Sequence, residues 1–359
     1  MTPNLPDVTR AITITGIGSV SPYGPLAGLI PQSKLEPSTI TAWTTAGLRR
    51  AFLVKPFRPA SIVSGLKTRR LDRLSAWALV ASALAIQDAG IDLSQVDRSR
   101  VAVVFATAFG CVELTEAFYQ SAAANGWSGT DPSTFPETLA NAPASHVSLF
   151  HDLRGPNITV GSKGFAGESA LIQAASLLRR GQADLAVVLA GDTLTRAVYE
   201  WYETADLLSP ACHNSEPLTE GGGFVPGEGV TALVLEPVGC RKVRSDARSY
   251  AHLRSGRWMA AGQPVKIIRE MLGGSVPSLT ICTTNGAPCA TSPVMDLARE
   301  IAGDGATIVP PQAVAAGLAD AGALLHLVLA LSNRPRSGQA LLLGTSGDSG
   351  FAALLLELP

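Results

Sequence analysis

Residues 157–181 read NITVGSKGFAGESALIQAASLLRRG and predict a short strand, a sharp turn and a buried helix. We place the strand at 158–160 and the turn at the small residues that follow it. Several enzyme folds present a nucleophile on such a turn, at the N-terminus of the following helix. Here the apex holds Lys163, Gly164 and Phe165, none of which is a nucleophile. The stretch therefore predicts a scaffold for covalent catalysis that lacks its reacting atom.

The helix is expected to start near Ala166, and its apolar residues recur at helical spacing. These residues are Ala170, Leu171, Ala174, Ala175 and Leu178. The helix is expected to end at Arg179 and Arg180, where cations suit the negative end of the dipole, with Gly181 as its terminating glycine.

The composition excludes several classes of protein. Of 359 residues, 46% are hydrophobic and 16% charged, and the formal net charge of -1 favours neither nucleic acid nor an anionic membrane as a partner. The five cysteines show no metal-ligand spacing and no disulfide pattern. The first ten residues lack an apolar signal core, and no apolar run reaches the roughly 18 residues of a membrane span. We therefore expect a soluble cytoplasmic protein without a metal site.

The first part of the chain alternates predicted strands with predicted helices. Strands are expected at 11–20, 101–107 and 183–190, and helices at 71–89 and 111–124. The Pro/Ser/Thr-rich segment 25–66 is expected to be a surface excursion. This alternation predicts helices layered on a mainly parallel sheet.

The pattern changes after the glycine-rich residues 221–230, which read GGGFVPGEGV. This stretch lacks the context and the Lys-Ser/Thr of a phosphate-binding loop, so we interpret it as a structural turn in which Glu228 bonds locally. We place a boundary near Glu236. Beyond it, strands are expected at 279–282, 340–343 and 352–358, and helices at 294–301 and 315–331.

Several stretches, in the right order, resemble the beta-ketoacyl synthases, the condensing enzymes of fatty acid and polyketide assembly. The matching stretches are ITITGIGSVSPYG (12–24), RRLDRLSAWALVASALAIQDAGID (69–92), VAVVFATAFGCVELTEAF (101–118), NAPASH with LRGPNITV (141–160) and FVPGEGVTALVLE (224–236). The resemblance implies an α/β, thiolase-like five-layer αβαβα fold. Its two related halves would cover 1–236 and a shortened 237–359, and dimers would form through the strand at 158–160.

The same resemblance implies that the catalytic groups of the family are missing here. Gly164 stands where the family has its acyl-accepting cysteine. Asn285 matches one catalytic histidine, and Ala316 or Gly317 matches the other. Losing a covalent nucleophile costs on the order of 10⁶ in rate, and the partner groups do not restore it. We therefore expect no independent condensation and no cofactor.

Inactive ketosynthase-like subunits, the chain-length factors, pair with an active ketosynthase in type II polyketide and polyene systems. The resemblance implies a heterodimer of this kind, which meets acyl carrier protein through the complex. The small, compact form of the chain most resembles subunits of aryl polyene and related polyene and polyketide clusters. The family's gating residues match Val112, Thr115 and Tyr119, whose spacing places them on one helical face. A bulky Tyr119 is expected to close the acyl tunnel.

Other interpretations of these residues stay open. The three gating residues also fit core packing, Asn285 fits a turn former, and Lys163 fits a solvated cation. Cys111 fits a small buried hydrophobe. Cys289 near the lost histidine loop suggests a relocated nucleophile, although no base is placed to activate it. The alternative functions are an autonomous acyltransferase or hydrolase of thiolase fold that uses a different residue, and a homodimeric scaffold.

Overall fold

The computed structural model describes residues 11–31, 35–40, 43, 48–162, 164–213, 223–238, 248–260, 262–284, 288–302, 307–309, 321–332, 337–345 and 350–359. Its helices are α1 (Pro59–Ile62), α2 (Arg73–Asp88), α3 (Val112–Asn125), α4 (Ala142–His151), α5 (Ala166–Arg179), α6 (Arg196–Thr204), α7 (Pro264–Leu272), α8 (Pro288–Ala302) and α9 (Ala323–Ser332). No helix among these is long and apolar enough to cross a membrane.

The strands of the first half are β1 (Ile12–Ser21), β2 (Gly24–Ala27), β3 (Ser38–Thr39), β4 (Arg50–Ala51), β5 (Val101–Thr107), β6 (Asn157–Gly161), β7 (Leu185–Asp192) and β8 (Gly229–Pro237). Those of the second half are β9 (Ala251–Met259), β10 (Leu279–Thr283), β11 (Thr307–Val309), β12 (Gly338–Thr345) and β13 (Phe351–Leu358). The predicted boundary near Glu236 lies at the end of β8, and the division into two domains there stays a prediction.

The described strands of both halves follow one topology. The sheet order is β11-β10-β12-β13-β9-β1-β8-β7-β5-β6, so β6-β5-β7-β8-β1 in the first half mirrors β11-β10-β12-β13-β9 in the second. Three residues of β1 pair with β9 and join these two sets of strands, which we call the first and the second sheet. The halves therefore repeat in structure, although their letters show no repeat.

The sheet is mixed, which corrects the prediction of a mainly parallel sheet. Among the described pairs, β5 with β6, β5 with β7, β10 with β11 and β10 with β12 are parallel. The last two strands of each half return antiparallel, as in β7 with β8 and β12 with β13. Buried strands lack the alternation that reveals direction, so the sequence could not separate the two arrangements.

Three hydrophobic clusters produce the five-layer αβαβα order. One lies between the outer face of the first sheet and helix α2, with α4 beside it. The central one encloses α5 and α9 between the two sheets. The third packs α7 and α8 on the second sheet. The thiolase-like α/β fold expected from the sequence is confirmed.

Strand β1 contains two glycines, Gly16 and Gly18, where helix α2 approaches too closely for a side chain. A Cβ at Gly16 would overlap the backbone oxygen of Ala85, and one at Gly18 would overlap that of Ala81. Helix α2 therefore lies directly on β1. This helix begins at Arg73, two residues later than predicted, because the carboxylate of Asp72 accepts the N–H of Leu74 at 2.8 Å and caps it.

The segment 25–66 is more than the predicted surface excursion. Ile30, Phe52 and Val54 are buried. The N–H of Phe52 donates to the oxygen of Pro226 at 2.8 Å, and its own oxygen accepts the N–H of Glu228 at 3.1 Å. Contacts across some 170 residues make this segment part of the core, and local composition cannot reveal them.

Candidate functional site

A strand and a helix flank residues 162–165, which we call the elbow, as expected from the sequence. Strand β6 ends at Gly161 and helix α5 starts at Ala166. The oxygen of Phe165 accepts the N–H of Ser169 at 3.0 Å, which closes the first helical turn. Gly164 is buried just before that helix, with φ +136°, in the region that favours glycine. Gly164, which we expect at the position of the family's nucleophile, therefore lies directly before the helix and has no side chain.

Helix α5 lies in the centre of the fold, as its apolar spacing predicted. It contacts strands of both sheets and helix α9. A Cβ at Gly167 would come within 2.8 Å of the Cβ of Ala323, so α5 and α9 touch through a residue without a side chain. Gly181, with φ +65°, follows the helix end as expected. The elbow is thus held by rigid elements of both halves.

A buried carboxylate lies one turn into this helix. Glu168 is 2% exposed and belongs to the first turn of α5. Its Oε1 accepts the hydroxyl of Thr283, the last residue of β10. A Cβ at Gly344, near the end of β12, would overlap the same oxygen. Glu168 therefore reaches from the elbow helix to the carboxyl ends of two strands of the second half.

Sequence reasoning did not single out Glu168. The available signal was a charged residue on the otherwise apolar stretch that follows the turn. Such a residue in a first helical turn is commonly a solvated partner of the helix dipole. Its carboxylate contacts Thr283, 115 residues away, and no local pattern points to that contact.

A tryptophan lies beside the same helix. The indole Nε1 of Trp258, on β9, donates to Oγ of Ser169 at 2.9 Å, while the ring is half exposed. Beyond its pairing with β1, strand β9 contacts α5, and a Cβ at Gly256 would meet Ile172. The hydrogen bond of Trp258 thus connects strand β9 of the second half to Ser169 of helix α5.

Several expected positions of the family's catalytic groups lie outside the described residues. These are Asn285, Ala316 and Gly317, and Lys163 beside Gly164 lies outside the described residues as well. Cys289 falls in α8, where its side chain is not described. Their assignments stay predictions.

The described cysteines are poor nucleophiles. Burial raises the thiol pKa to about 12 in Cys111, about 11 in Cys212 and about 12 in Cys282. The thiolate is the reactive form of cysteine, and such thiols remain protonated near neutral pH. Cys111 accordingly matches the small buried hydrophobe that we gave as its plain interpretation.

A buried histidine also lies in the central layer. Burial lowers the pKa of His326, on α9, to about 3. Its imidazole is therefore neutral at physiological pH, and His326 lies ten residues beyond the family position at Ala316. This histidine would not supply a positive charge to a developing oxyanion.

The three predicted gating residues lie on α3 in different environments. Val112 packs against the central cluster. The hydroxyl of Thr115 lies 2.8 Å from the oxygen of Cys111 and 3.1 Å from that of Thr138. Tyr119 is 57% exposed and contacts the ring of Trp127. Within the described part of this chain, Tyr119 therefore faces outward, and its gating role stays a prediction.

An exposed apolar surface surrounds this tyrosine. We define the aromatic face as Phe118, Tyr119, Trp127 and Phe135, whose rings lie about 6 Å apart in successive pairs. Neighbouring helix α4 exposes Leu149, at 77%, and Phe150. Exposed apolar groups that cluster in this way are typical of protein contacts.

Strand β6 lies beside helix α4. Among the described strands it pairs with β5 alone, at the end of the sheet. The side chain of Asn157 ties it to α4 by donating to the oxygen of Ala144 at 3.1 Å and to Oγ of Ser148 at 2.8 Å. An open sheet edge beside apolar side chains is a ready site for strand addition.

Comparisons with known proteins agree with this architecture. Residues 9–239 match the family model of the beta-ketoacyl synthase N-terminal domain. The 3-oxoacyl-[acyl-carrier-protein] synthase 2 of Vibrio cholerae is 28% identical over 261 residues, 68% of this chain and 62% of that enzyme. The same enzyme of Coxiella burnetii is 26% identical over 257 residues, 68% of this chain and 62% of that enzyme. The chain thus spans less than two thirds of the length of these relatives.

Solved structures share the fold across nearly the whole chain. The ishigamide ketosynthase/chain length factor superposes with a TM-score of 0.80 at 18% identity and covers 98% of this chain and 100% of its own. A type II polyketide synthase ketosynthase, in complex with its acyl-carrier protein and bound to the hexaketide, gives 0.76 at 17% identity, with 98% and 100% coverage. With the family model matching well over half of its residues, the chain belongs to the beta-ketoacyl synthase family.

Proposed function

We propose that this chain is a non-catalytic ketosynthase-like subunit that pairs with an active 3-oxoacyl-ACP synthase and limits the length of the acyl chain. The observation that carries the proposal is Gly164, which is buried directly before helix α5 and offers no side chain where the family's nucleophile is expected. A covalent acyl enzyme cannot form at a residue without a nucleophile.

A ketosynthase-like scaffold without a nucleophile needs a role other than acyl transfer. Pairing supplies one, because β6 presents an open edge and α4 exposes Leu149 and Phe150 beside it. Antiparallel pairing of β6 with the matching strand of a ketosynthase would extend the sheet across two chains. The same contact would cover the aromatic face and complete the tunnel at Tyr119.

The fold likeness to a ketosynthase/chain length factor supports the same role. We extend the proposal to type II polyketide, polyene or fatty-acid-type elongation, with aryl polyene systems among the candidates. Acyl carrier protein would bind to the complex rather than to this subunit alone.

Co-purification tests the proposal. The chain is co-expressed with a candidate ketosynthase from the same genome, and native mass spectrometry measures the stoichiometry. We expect a one-to-one complex that elongates acyl groups. A matched Leu149→Asp variant should fold normally, since this side chain is exposed, but weaken the complex. A stable homodimer of the chain that does not bind the ketosynthase would contradict the proposal.

A second measurement addresses an autonomous acyltransferase or hydrolase. The purified chain is incubated with acyl-ACP or acyl-CoA, and its intact mass is recorded. We expect no covalent acyl adduct on this chain. An adduct, or turnover of the thioester by the chain alone, would favour the autonomous enzyme.

A further inference from the structure

The inference concerns Asp192, the last residue of β7, and the loop 108–111 that follows the neighbouring strand β5. Strands β5 and β7 pair in parallel, so their carboxyl ends meet at the same edge of the sheet. Asp192 is 3% exposed, and its carboxylate bonds to the start of this loop. Neither the sequence patterns nor the proposed function assigns a role to this residue.

The carboxylate accepts hydrogen bonds from two successive backbone N–H groups. Its Oδ1 accepts the N–H of Phe109 at 2.9 Å, and both of its oxygens lie within 3.1 Å of the amide nitrogen of Ala108. Oδ1 also accepts the hydroxyl of Thr107 at 2.5 Å, and the oxygen of that hydroxyl accepts the N–H of Gly110 at 2.8 Å. Asp192 therefore provides partners, directly or through Thr107, for three consecutive N–H groups.

The loop lies between the elbow and helix α3. The backbone oxygen of Thr107 accepts the N–H of Ser162, in the elbow, at 3.4 Å. Gly110 has φ +69°, in the region that favours glycine, and a Cβ there would come within 3.0 Å of the Cβ of Ala140. Helix α3 begins two residues later, at Val112. The conformation of this loop therefore determines where the first residue of α3 stands relative to the elbow.

Two side chains depend on the same loop. The ring of Phe109 lies 5.9 Å from that of Tyr202 and 6.2 Å from that of Trp201, both on α6 and both edge-to-face. Phe109 and Val112, the first of the expected gating residues, pack against the central cluster. Without the acceptor at Asp192, the N–H groups of the loop would lose their partners. Unsatisfied groups of this kind are costly, so we expect the loop to adopt other conformations.

We propose that Asp192 is a positioning residue: it fixes the loop 108–111, and the fixed loop sets where Phe109 and Val112 stand in the wall of the acyl tunnel. The inference deepens the proposed function and rests on it, because a tunnel wall matters only in a subunit that limits chain length. Length control then depends on a buried hydrogen-bond acceptor as well as on the size of Tyr119.

Two measurements on Asp192→Asn test the inference. Asparagine keeps the shape of the side chain but replaces one acceptor oxygen by an NH₂ group, which cannot accept from the loop. Hydrogen exchange of the full chain, read by mass spectrometry on peptides that contain 108–110, should become at least about tenfold faster there, since one such hydrogen bond is worth about that factor. In the complex with the ketosynthase, we expect a shift from one main chain length to several, with the yield of complex unchanged.

Asp184→Asn is the matched control, because Asp184 lies at the other end of the same strand, is half exposed and pairs with Arg100. Its exchange at 108–110 and its products should equal those of the wild type. Thr107→Val removes the hydroxyl that links Asp192 to the N–H of Gly110, so it should act in the same direction. This variant gives the same comparison should Asp192→Asn fail to fold.

Unchanged exchange at 108–110, or an unchanged product distribution, would overturn the inference. Faster exchange spread over the whole chain would also overturn it, because the residue would then support the fold in general and not this loop. Failure of the proposed function is read separately, as a wild-type chain that forms no complex with the ketosynthase.

Discussion

Nη1 of Arg73 lies 3.0 Å from Oε2 of Glu228, and the glutamate side chain is almost fully buried. The same carboxylate accepts the N–H of Val54 and that of Leu194, each at 3.2 Å. Arg73 also stacks over the ring of Trp77, at 5.0 Å. Glu228 thus joins helix α2, the segment 25–66 and the loop after β7, and our expectation that it bonds locally is wrong.

Removing the arginine should leave this buried carboxylate without its charged partner. Breaking a fully buried pair costs about 3–5 kcal/mol. Arg73 is about one third exposed, so water compensates in part, and we expect Arg73→Met to lower the free energy of unfolding by about 2 kcal/mol. Denaturant unfolding measures the change. Arg299→Met, at an exposed pair with Asp296, is the control and should change it by less than about 0.5 kcal/mol. Equal effects would show that the Arg73 pair adds no stability.

The stability of the protein should depend on the ionisation of Glu228. Burial raises its pKa above the ordinary value of 4.5. A raised pKa means that the folded state binds the proton more tightly, so this contribution is complete below pH 4.5 and is lost as the pH rises through the raised pKa. Chemical unfolding of the wild type and of Glu228→Gln across this range measures the effect. The wild type should lose stability relative to the variant with rising pH, and a constant difference would contradict the raised pKa.

Elements with a strong local sequence pattern form where we expected them. Strand β5, an unbroken apolar run, and helix α5, with its spacing and terminal Gly181, form where expected. Strand β9 was missed, because its sequence AHLRSGRWM mixes charged and apolar residues without alternation. It forms because β13 pairs with almost its whole length. Its existence depends on a partner about 100 residues away.

The candidate site could likewise be predicted only in part from the sequence. The absence of a nucleophile at Gly164 follows from the letters and the resemblance alone. The contact of Glu168 with Thr283 and Gly344 does not, because it depends on how the two halves stack. The side chain of Tyr119 was expected to close a tunnel, and only the fold reveals that it faces outward in the single chain.

The open edge of β6 can be tested with a proline. The N–H of Val103 donates to the oxygen of Pro156 at 2.8 Å, and that of Ser162 donates to the oxygen of Thr107 at 3.4 Å. Bonds to β5 therefore alternate along β6, and the N–H of Thr159 points to the open side. Thr159→Pro removes that donor without removing a bond to β5.

We expect Thr159→Pro to abolish the complex with the ketosynthase while the chain alone still folds, as measured by native mass spectrometry and circular dichroism. Thr159→Val keeps the N–H and should keep the complex. A complex of undiminished affinity with the proline would exclude pairing through β6.

Tyr119 provides a test of chain-length control. Replacing it by alanine should cost less than about 0.5 kcal/mol of stability, because the ring is mostly exposed. In the complex, the smaller side chain should lengthen the tunnel and shift the product distribution to longer chains, read by mass spectrometry of the products. Tyr119→Phe keeps the ring and should leave the distribution unchanged. If Tyr119→Ala also leaves it unchanged, the gating role fails.

The contact between Gly344 and Glu168 predicts a non-additive pair of substitutions. Gly344→Ala places a methyl group against Oε1 and should cost about 1–3 kcal/mol through overpacking. Glu168→Ala removes that obstacle, so the double variant should be more stable than the sum of the single effects predicts, by about 0.5–3 kcal/mol. Denaturant unfolding of the four proteins measures this coupling. Gly262→Ala, where a Cβ meets open space, should be neutral and additive with Glu168→Ala. Strict additivity for Gly344 as well would mean that the carboxylate does not occupy the space beside β12.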